Sequence, residues 1–462
     1  MGYTFSEFSI CFTKLLLKYK WLLYFLIFMI VAFPHGANTI IAHNGENSLK
    51  VLADNREVQE YFGAADIASY ASGGQQLIES PANFREKYYL SLWSPGMFLL
   101  HGGMLLMGDN TPVVLMLMLF SILLWCSVFS KLCNLLVYEF NSNVLIAFLV
   151  PIMCFILPPF RNITLTSGVL GAESYSIAAF ILGFLFYVQS IFSNNSRKLI
   201  IYSGIFFALA AYMKASFDIY MRIFAILVLF VFLVKYLYDI LRKKEQPEFS
   251  ADEILIPSMK KYLLMLGVFF LATLPWRIYH LPGWINEDYM YAYIWMADDQ
   301  LADFVVAGGA NAAACKIKPD VCKSFHDDDI ENSRNNRLWL DNLIHETKII
   351  IITNPFSWAY YKLPYLYKYW FNEGLHKAKI NTFVINSVIL AFILGVLLIT
   401  LFVRSAVDIF CCLIILTVIG GTIIPHFVMH FEARYLFPLK IIAYFILIIS
   451  LANLINQRNI NK

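Results

Sequence analysis

The sequence predicts an all-α polytopic membrane protein, and three observations carry that prediction. Of 462 residues, 59% are hydrophobic and only 15% are charged, where a globular chain carries about a quarter charged residues. Mean hydropathy is +0.63. The missing charge is unevenly spread: long apolar runs alternate with short polar patches, the pattern of many membrane crossings. Lys plus Arg (35) exceeds Asp plus Glu (32) by only three, so no nucleic-acid-binding surface is indicated. A length that would otherwise make two or three soluble domains is read as a single membrane domain, residues 1–462.

In hydrocarbon a helix satisfies its own backbone hydrogen bonds, so apolar runs near about 20 residues are read as spans. The chain order gives Leu15–Phe33, Pro112–Ser130, Val144–Leu157, Tyr175–Phe192 and Leu199–Tyr212, then Ile219–Leu237, Tyr262–Pro275, Phe383–Phe402, Ile409–Val428 and Tyr435–Leu454. Pro95–Met107 is apolar too, but short and interrupted by Gly102 and Gly103. Cytoplasmic loops are enriched in Lys and Arg. The basic loop Arg242–Lys261, the cluster Lys14, Lys18 and Lys20, the pair Arg197 and Lys198, Arg404, and Arg458 with Lys462 all fall on one side only if Pro95–Met107 does not cross. That stretch is therefore expected to be an interfacial or re-entrant helix. About ten crossings remain, with both termini in the cytoplasm.

This topology places two long loops outside, residues 34–110 with juxtamembrane helices and residues 278–381. The second ends in Ser357–Phe371, dense in Tyr and Trp with Lys362 and Lys368. That composition fits a headgroup-level belt, and equally an aromatic platform for sugar stacking. Lys14, Lys18 and Lys20 precede the first span, but no small-residue cleavage site follows it, so an uncleaved anchor is expected. No internal repeat is visible, which weighs against a transporter built of two related halves. Cys11, Cys126, Cys133, Cys154, Cys411 and Cys412 lie in or beside apolar spans and read as packing residues. Cys315 and Cys322, in the second outer loop, are expected to form a local disulfide in an oxidising compartment.

Ionisable residues at span mouths are functional candidates. Asp66 is the one acid in Tyr61–Tyr70 and shares a helical face with Tyr70; it reads as a general base towards a hydroxyl, or as a solvated cap. Arg161 and Glu173 precede a span, where Glu173 either complements the helix dipole or acts in the site. Lys214, Asp218 and Arg222 recur every four residues. On one helix they form a stripe, either a self-neutralising structural cluster or a cationic cradle for phosphate in which Asp218 holds Lys214 or Arg222. His426, His430, Glu432 and Arg434 crowd the turn before the last span. Arg434 suits phosphate by its planar fork of donors, and the spacing of the others is not that of a specific metal site.

In this order, Ala65-Asp-Ile-Ala-Ser-Tyr70, Ser94-Pro-Gly-Met-Phe-Leu-Leu…Met107-Gly108, Glu173 and His430-Phe-Glu-Ala-Arg-Tyr-Leu-Phe-Pro438 resemble the GT-C superfamily of membrane glycosyltransferases. Its members include protein O-mannosyltransferases, aminoarabinose transferases and phage-type serotype-converting glucosyltransferases. The late Arg-Tyr-x-x-Pro is the most recognisable piece. The resemblance implies that Pro95–Met107 is a non-crossing juxtamembrane helix, Asp66 the catalytic base and Glu173 a second outer-loop acid. It implies donor-phosphate contacts from Lys214 and Arg434, with Arg222 beside them. Tyr70, Arg161, His430, Glu432, Tyr435 and Trp370 complete the candidate set as substrate contacts. Two departures leave the sugar open: no second acid adjoins Asp66, and Ser-Pro-Gly stands where the family has Pro-Pro.

The implied chemistry is an inverting transfer of a sugar from a polyprenyl-phosphate donor, of the undecaprenyl phosphate type, to a hydroxyl acceptor. An O-antigen or lipopolysaccharide glycan is the favoured acceptor, and the site faces the periplasm of a bacterial inner membrane. No cofactor is implied, and a divalent cation is compatible without being indicated. The lipid bilayer and the two glycan substrates are the expected partners. The rival classes are a polysaccharide polymerase or ligase with a polyprenyl-diphosphate donor, and a lipid-linked glycan transporter.

Overall fold

A computed structural model of the chain describes residues 5–34, 65–80, 94–107, 111–165, 171–193, 195–242, 251–285, 316–319, 345–346, 348–371, 380–402, 405–428 and 433–460. Every regular element among the described residues is helical. In chain order these are α1 (Phe5–Val31), α2 (Ala65–Glu79), α3 (Pro95–Met107), α4 (Thr111–Tyr138) and α5 (Val144–Ile152), the last continued by a 3-10 turn, Met153–Ile156. Then come α6 (Pro158–Leu165), α7 (Ala172–Phe192), α8 (Ser196–Met213), α9 (Ser216–Arg242) and α10 (Ala251–Ile285). The last group is α11 (Pro355–Phe371), α12 (Ile380–Phe402), α13 (Ala406–Val428), a 3-10 turn (Ala433–Leu436) and α14 (Phe437–Ile460).

Among the described residues, six helical segments are long and apolar enough to cross a membrane: Leu115–Tyr138, Ala172–Phe192, Ser216–Val234, Met259–Ile278, Ala406–Ile424 and Phe437–Arg458. The chain is a multi-pass membrane protein whose described regular elements are all helices. The other four segments expected to cross are helical as well but are not among those six. Val144–Ile156 is a short apolar helix, interrupted by Pro151 and finished in 3-10 geometry; Pro removes a hydrogen-bond donor from the interior of a helix. The segments around Leu15–Phe33, Leu199–Tyr212 and Phe383–Phe402 fall on α1, α8 and α12. Pro95–Met107 forms a helix of 13 residues, about 20 Å at 1.5 Å per residue, well short of a hydrocarbon core of about 30 Å.

The apolar pattern explains the layering. Helix α7 is hydrophobic around its whole circumference, and such a helix belongs inside. Its membrane-length segment is 78% buried, packed by α4, α8, α13 and α14. By contrast the corresponding segments of α9 and α10 are only 33% and 28% buried, and they turn Ile226, Leu229, Phe230 and Leu271 outward. Several polar groups inside are paired across helices, which a low-dielectric interior rewards. Ser121 and Ser174 share a hydrogen bond that also takes the Trp125 indole N–H at 3.0 Å, tying α4 to α7. The Ser203 hydroxyl donates to the Gly183 carbonyl at 2.8 Å, tying α8 to α7. Cys126, Cys133, Cys154, Cys411 and Cys412 are unpaired thiols, four of them buried. The side chains of Cys11, Cys315 and Cys322, and with them the expected disulfide, lie outside the described residues.

The two ends of the bundle differ. At the end where α9 and α10 join through the basic segment, cations meet neutral acceptors: Lys131 donates to Gln189 Oε1 and Lys261 to the Ser190 carbonyl. There Ser405 caps α13 by accepting from the Asp408 N–H at 3.1 Å. Asn453 Nδ2, from α14, donates to both Asp408 oxygens at 3.0 Å and to Ser405 Oγ at 2.9 Å. The opposite end carries ion pairs.

Candidate functional site

Helix direction brings the ion-paired end together. Helices α7 and α8 run antiparallel, so the start of α7 lies beside the end of α8. Glu173 occupies the first turn of α7, whose N-cap Gly171 supplies no side-chain hydrogen bond; an acid there complements the exposed N–H groups of the helix start. Lys214 ends α8 in extended backbone (φ −148°, ψ 124°), its N–H still bonded to the Ala210 carbonyl. The extended turn swings its side chain off the helix line and onto Glu173, with which it forms an ion pair. Both side chains are largely buried, 16% and 12% exposed. Lys214 Nζ also stands 5.9 Å from the Tyr435 ring centroid, within cation–π range.

The expected stripe of Lys214, Asp218 and Arg222 is therefore divided. Lys214 precedes α9 and pairs with Glu173, while Asp218 in the first turn of α9 serves two arginines. Arg222 Nε donates to Asp218 Oδ2 at 2.7 Å, one helical turn on. Arg277, near the end of α10, donates to Asp218 Oδ1. The Arg277 guanidinium is held twice more: its Nε donates to Thr273 Oγ1 at 3.1 Å and its centre lies 5.2 Å from the Phe270 ring centroid. Sequence reasoning missed Arg277. It lies just past the expected span Tyr262–Pro275, and a lone arginine at the end of an apolar run reads as a topology marker.

The short helices α2 and α3 pack against this end. The Ser94 hydroxyl donates to the Ala211 carbonyl, and Gly96 sits so close to the end of α8 that a Cβ there would lie 2.5 Å from the Tyr212 carbonyl oxygen. Helix α2 lies on α3 with equal intimacy: a Cβ on Gly74 would fall 2.7 Å from the Gly102 backbone nitrogen. Tyr70, buried, packs on Phe98 and His101 with ring centroids 5.6 and 6.1 Å away. It belongs to a buried cluster with Met97 and with Ala172, Tyr175 and Met213, which flank Glu173 and Lys214 in the chain. Asp66 is the second residue of α2, one turn before Tyr70, and Arg434 is the second residue of the 3-10 turn that presents Tyr435. The side chains of Asp66, Arg434 and His426, and residues His430 and Glu432, lie outside the described residues.

The two remaining candidates are placed differently. Arg161 is exposed on α6. Trp370, near the end of α11, is 7% exposed. Its indole N–H donates to the Asn386 carbonyl at 3.1 Å. The fully buried Lys440 ammonium lies 5.1 Å from the Trp370 ring centroid and donates to the Trp370 carbonyl at 2.7 Å. Phe356, Tyr360 and Tyr367 form the exposed aromatic surface of α11 instead, and that helix touches the Ala433–Leu436 turn.

One end of the bundle thus unites parts of α2, α3, α7, α8, α9, α10 and the turn before α14. The ion pairs described there join two acids, Glu173 and Asp218, to three cations, Lys214, Arg222 and Arg277, and this set has a residual charge of +1. An arrangement of this kind can seat an anion and orient a hydroxyl-bearing partner near it. Among the described residues no group of three His, Cys, Asp or Glu is placed to hold a metal ion. No protein-family model matches the chain, and no curated protein matches it.

Proposed function

We propose that this chain is a membrane glycosyltransferase of the GT-C kind, transferring a sugar from a polyprenyl-phosphate donor to a hydroxyl acceptor. The observation that supports the reading is the convergence at one end of a helical bundle of four segments far apart in sequence. These are the Asp66 helix, Glu173, the Lys214–Arg222 segment and the Arg434–Tyr435 turn. Arg277 of α10 joins them.

In this reading Asp66 takes the acceptor hydroxyl proton as its oxygen attacks the anomeric carbon. The anomeric C–O bond breaks with its electron pair going to the lipid phosphate, through an oxocarbenium-like transition state. That phosphate is a good leaving group and needs no acid; cations that stabilise its growing charge are what it requires. Lys214, Arg222, Arg277 and Arg434 supply them, and Glu173 orients Lys214. The same reading has about ten crossings, cytoplasmic termini and a site facing the periplasm of a bacterial inner membrane. An O-antigen or lipopolysaccharide glycan is the acceptor.

The test is incubation of the purified protein with defined polyprenyl-phosphate sugars, followed by mass and linkage analysis of the acceptor. The expected result is one added hexose with inverted anomeric configuration, lost in Asp66→Asn at equal expression. A retained configuration, or undiminished transfer by Asp66→Asn, refutes the mechanism. Translocation of the donor with no covalent product refutes the enzyme reading itself.

A further inference from the structure

Asp218, Arg222 and Arg277 form a unit whose charges do not cancel. Two guanidinium groups share one carboxylate, one on each oxygen, leaving +1. The two arginines are held unequally. Arg277 is fixed by Thr273 and Phe270 and is 25% exposed. Arg222 is 54% exposed and bonded through Nε alone among the described residues, so its terminal nitrogens are presented outward. Asp218 itself is 10% exposed and occupies the inner side of the fork.

The unit also lies where lipid can reach it. It bridges α9 and α10, the two least buried of the membrane-length helices. Below it those helices expose Ile226, Leu229, Phe230, Leu271 and Leu274. A chain of apolar surface leading to a pair of guanidinium forks at a helix end matches a lipid with a phosphate at its head.

We propose that Asp218, Arg222 and Arg277 are a seat for a lipid phosphodiester, entered sideways from the bilayer, in which Asp218 is a built-in competitor anion that the phosphate displaces from Arg222. A phosphodiester carries one negative charge and neutralises the unit, whereas a diphosphate leaves excess negative charge next to Asp218. The seat therefore prefers single-phosphate lipids. With no ligand, Asp218 holds Arg222 through Nε while the terminal nitrogens face outward; with a phosphodiester bound, Arg222 gives up Asp218 for the phosphate and Asp218 stays with Arg277. The identity of the lipid as sugar donor rests on the function proposed above, while the phosphodiester chemistry does not, because an ordinary anionic phospholipid has the same head charge.

The experiment uses the full chain in phosphatidylcholine nanodiscs. Binding of polyprenyl-phosphate glucose is titrated with polyprenyl diphosphate and phosphatidylglycerol as competitors, in wild type, D218N, R222Q and R277Q. Loss of one charge-assisted hydrogen bond in R222Q or R277Q is expected to weaken binding by at least about 10-fold. D218N is expected to bind more tightly than wild type, since the competitor is gone. R277K supplies the charge without the fork, and is expected to fold and to bind weakly if R277Q fails to fold. Unchanged binding in R222Q and R277Q, or unchanged or weaker binding in D218N, overturns the seat. Stronger competition by polyprenyl diphosphate overturns the single-phosphate preference. Equal competition by phosphatidylglycerol leaves the seat standing and assigns it to bulk lipid, which removes its support for the glycosyltransferase reading.

Discussion

The ion pair between Glu173 and Lys214 allows the structural and chemical roles of one lysine to be separated. Replacing either residue alone, as Glu173→Leu or Lys214→Met, leaves the other charge in a site where the two side chains are 12% and 16% exposed. Breaking a buried pair from one side costs about 3–5 kcal/mol. The remaining solvent contact reduces that to about 2 kcal/mol for each single change. Removing both at once replaces the pair by apolar side chains of similar volume, at a cost of about 1 kcal/mol or less. The double-mutant coupling is then about 3 kcal/mol.

Equilibrium unfolding in mixed micelles with increasing denaturing detergent, followed by tryptophan fluorescence, measures all four proteins. A coupling below about 0.5 kcal/mol, the level of independent sites, refutes the idea that the pair joins α7 to α8. Sugar transfer measured on the same samples supplies the second readout. A lysine that only pins two helices together regains its whole effect in the double variant. One that contacts the donor phosphate gives a double variant that is folded and inactive.

Two further outcomes are expected. Gly74→Val brings a side chain against the Gly102 backbone, where a Cβ alone would already lie at 2.7 Å. The overpacking is expected to cost about 1–3 kcal/mol, read as a lower unfolding midpoint, together with a loss of transfer if Asp66 works from α2. Lys440→Met removes the buried donor from the Trp370 carbonyl, worth about 1–3 kcal/mol. It is expected to accelerate tryptic cleavage at Lys368 on α11 relative to cleavage elsewhere in the chain.

The helices were legible in the sequence because apolar runs in a membrane protein have one conformation open to them. Each of the ten expected spans falls on a helix, and Pro95–Met107 is a helix too short to cross. What the hydropathy pattern did not convey is where a run changes geometry. Pro151 and the 3-10 turn after it shorten one of these spans. At the site, the i,i+4 link of Asp218 to Arg222 follows from spacing alone. The separation of Lys214 from that stripe does not, because Met213, Lys214, Ala215 and Ser216 contain no glycine or proline to mark a break between α8 and α9. Arg277 and Asp408 were missed for a related reason. Their partners are 59 and 45 residues away, and a single sequence carries no sign of contacts at that range. The dense aromatics of α11 suggested one exposed surface. Burial of Trp370 under Lys440, 70 residues later, depends equally on a distant partner.

Two of the side-chain attachments that hold the last helix lie far apart along its length. Lys440 fastens it to the end of α11, and Asn453 fastens it to the start of α13. Thirteen residues separate the two along unbroken helix, about 20 Å and a little over three and a half turns. That interval fixes a rotational phase as well as a length. Deleting one residue between them would turn one attachment by about 100° relative to the other, so that both cannot be made together. An insertion or deletion within residues 441–452 therefore breaks one attachment, and α14 sets the angular reference for both ends of the bundle.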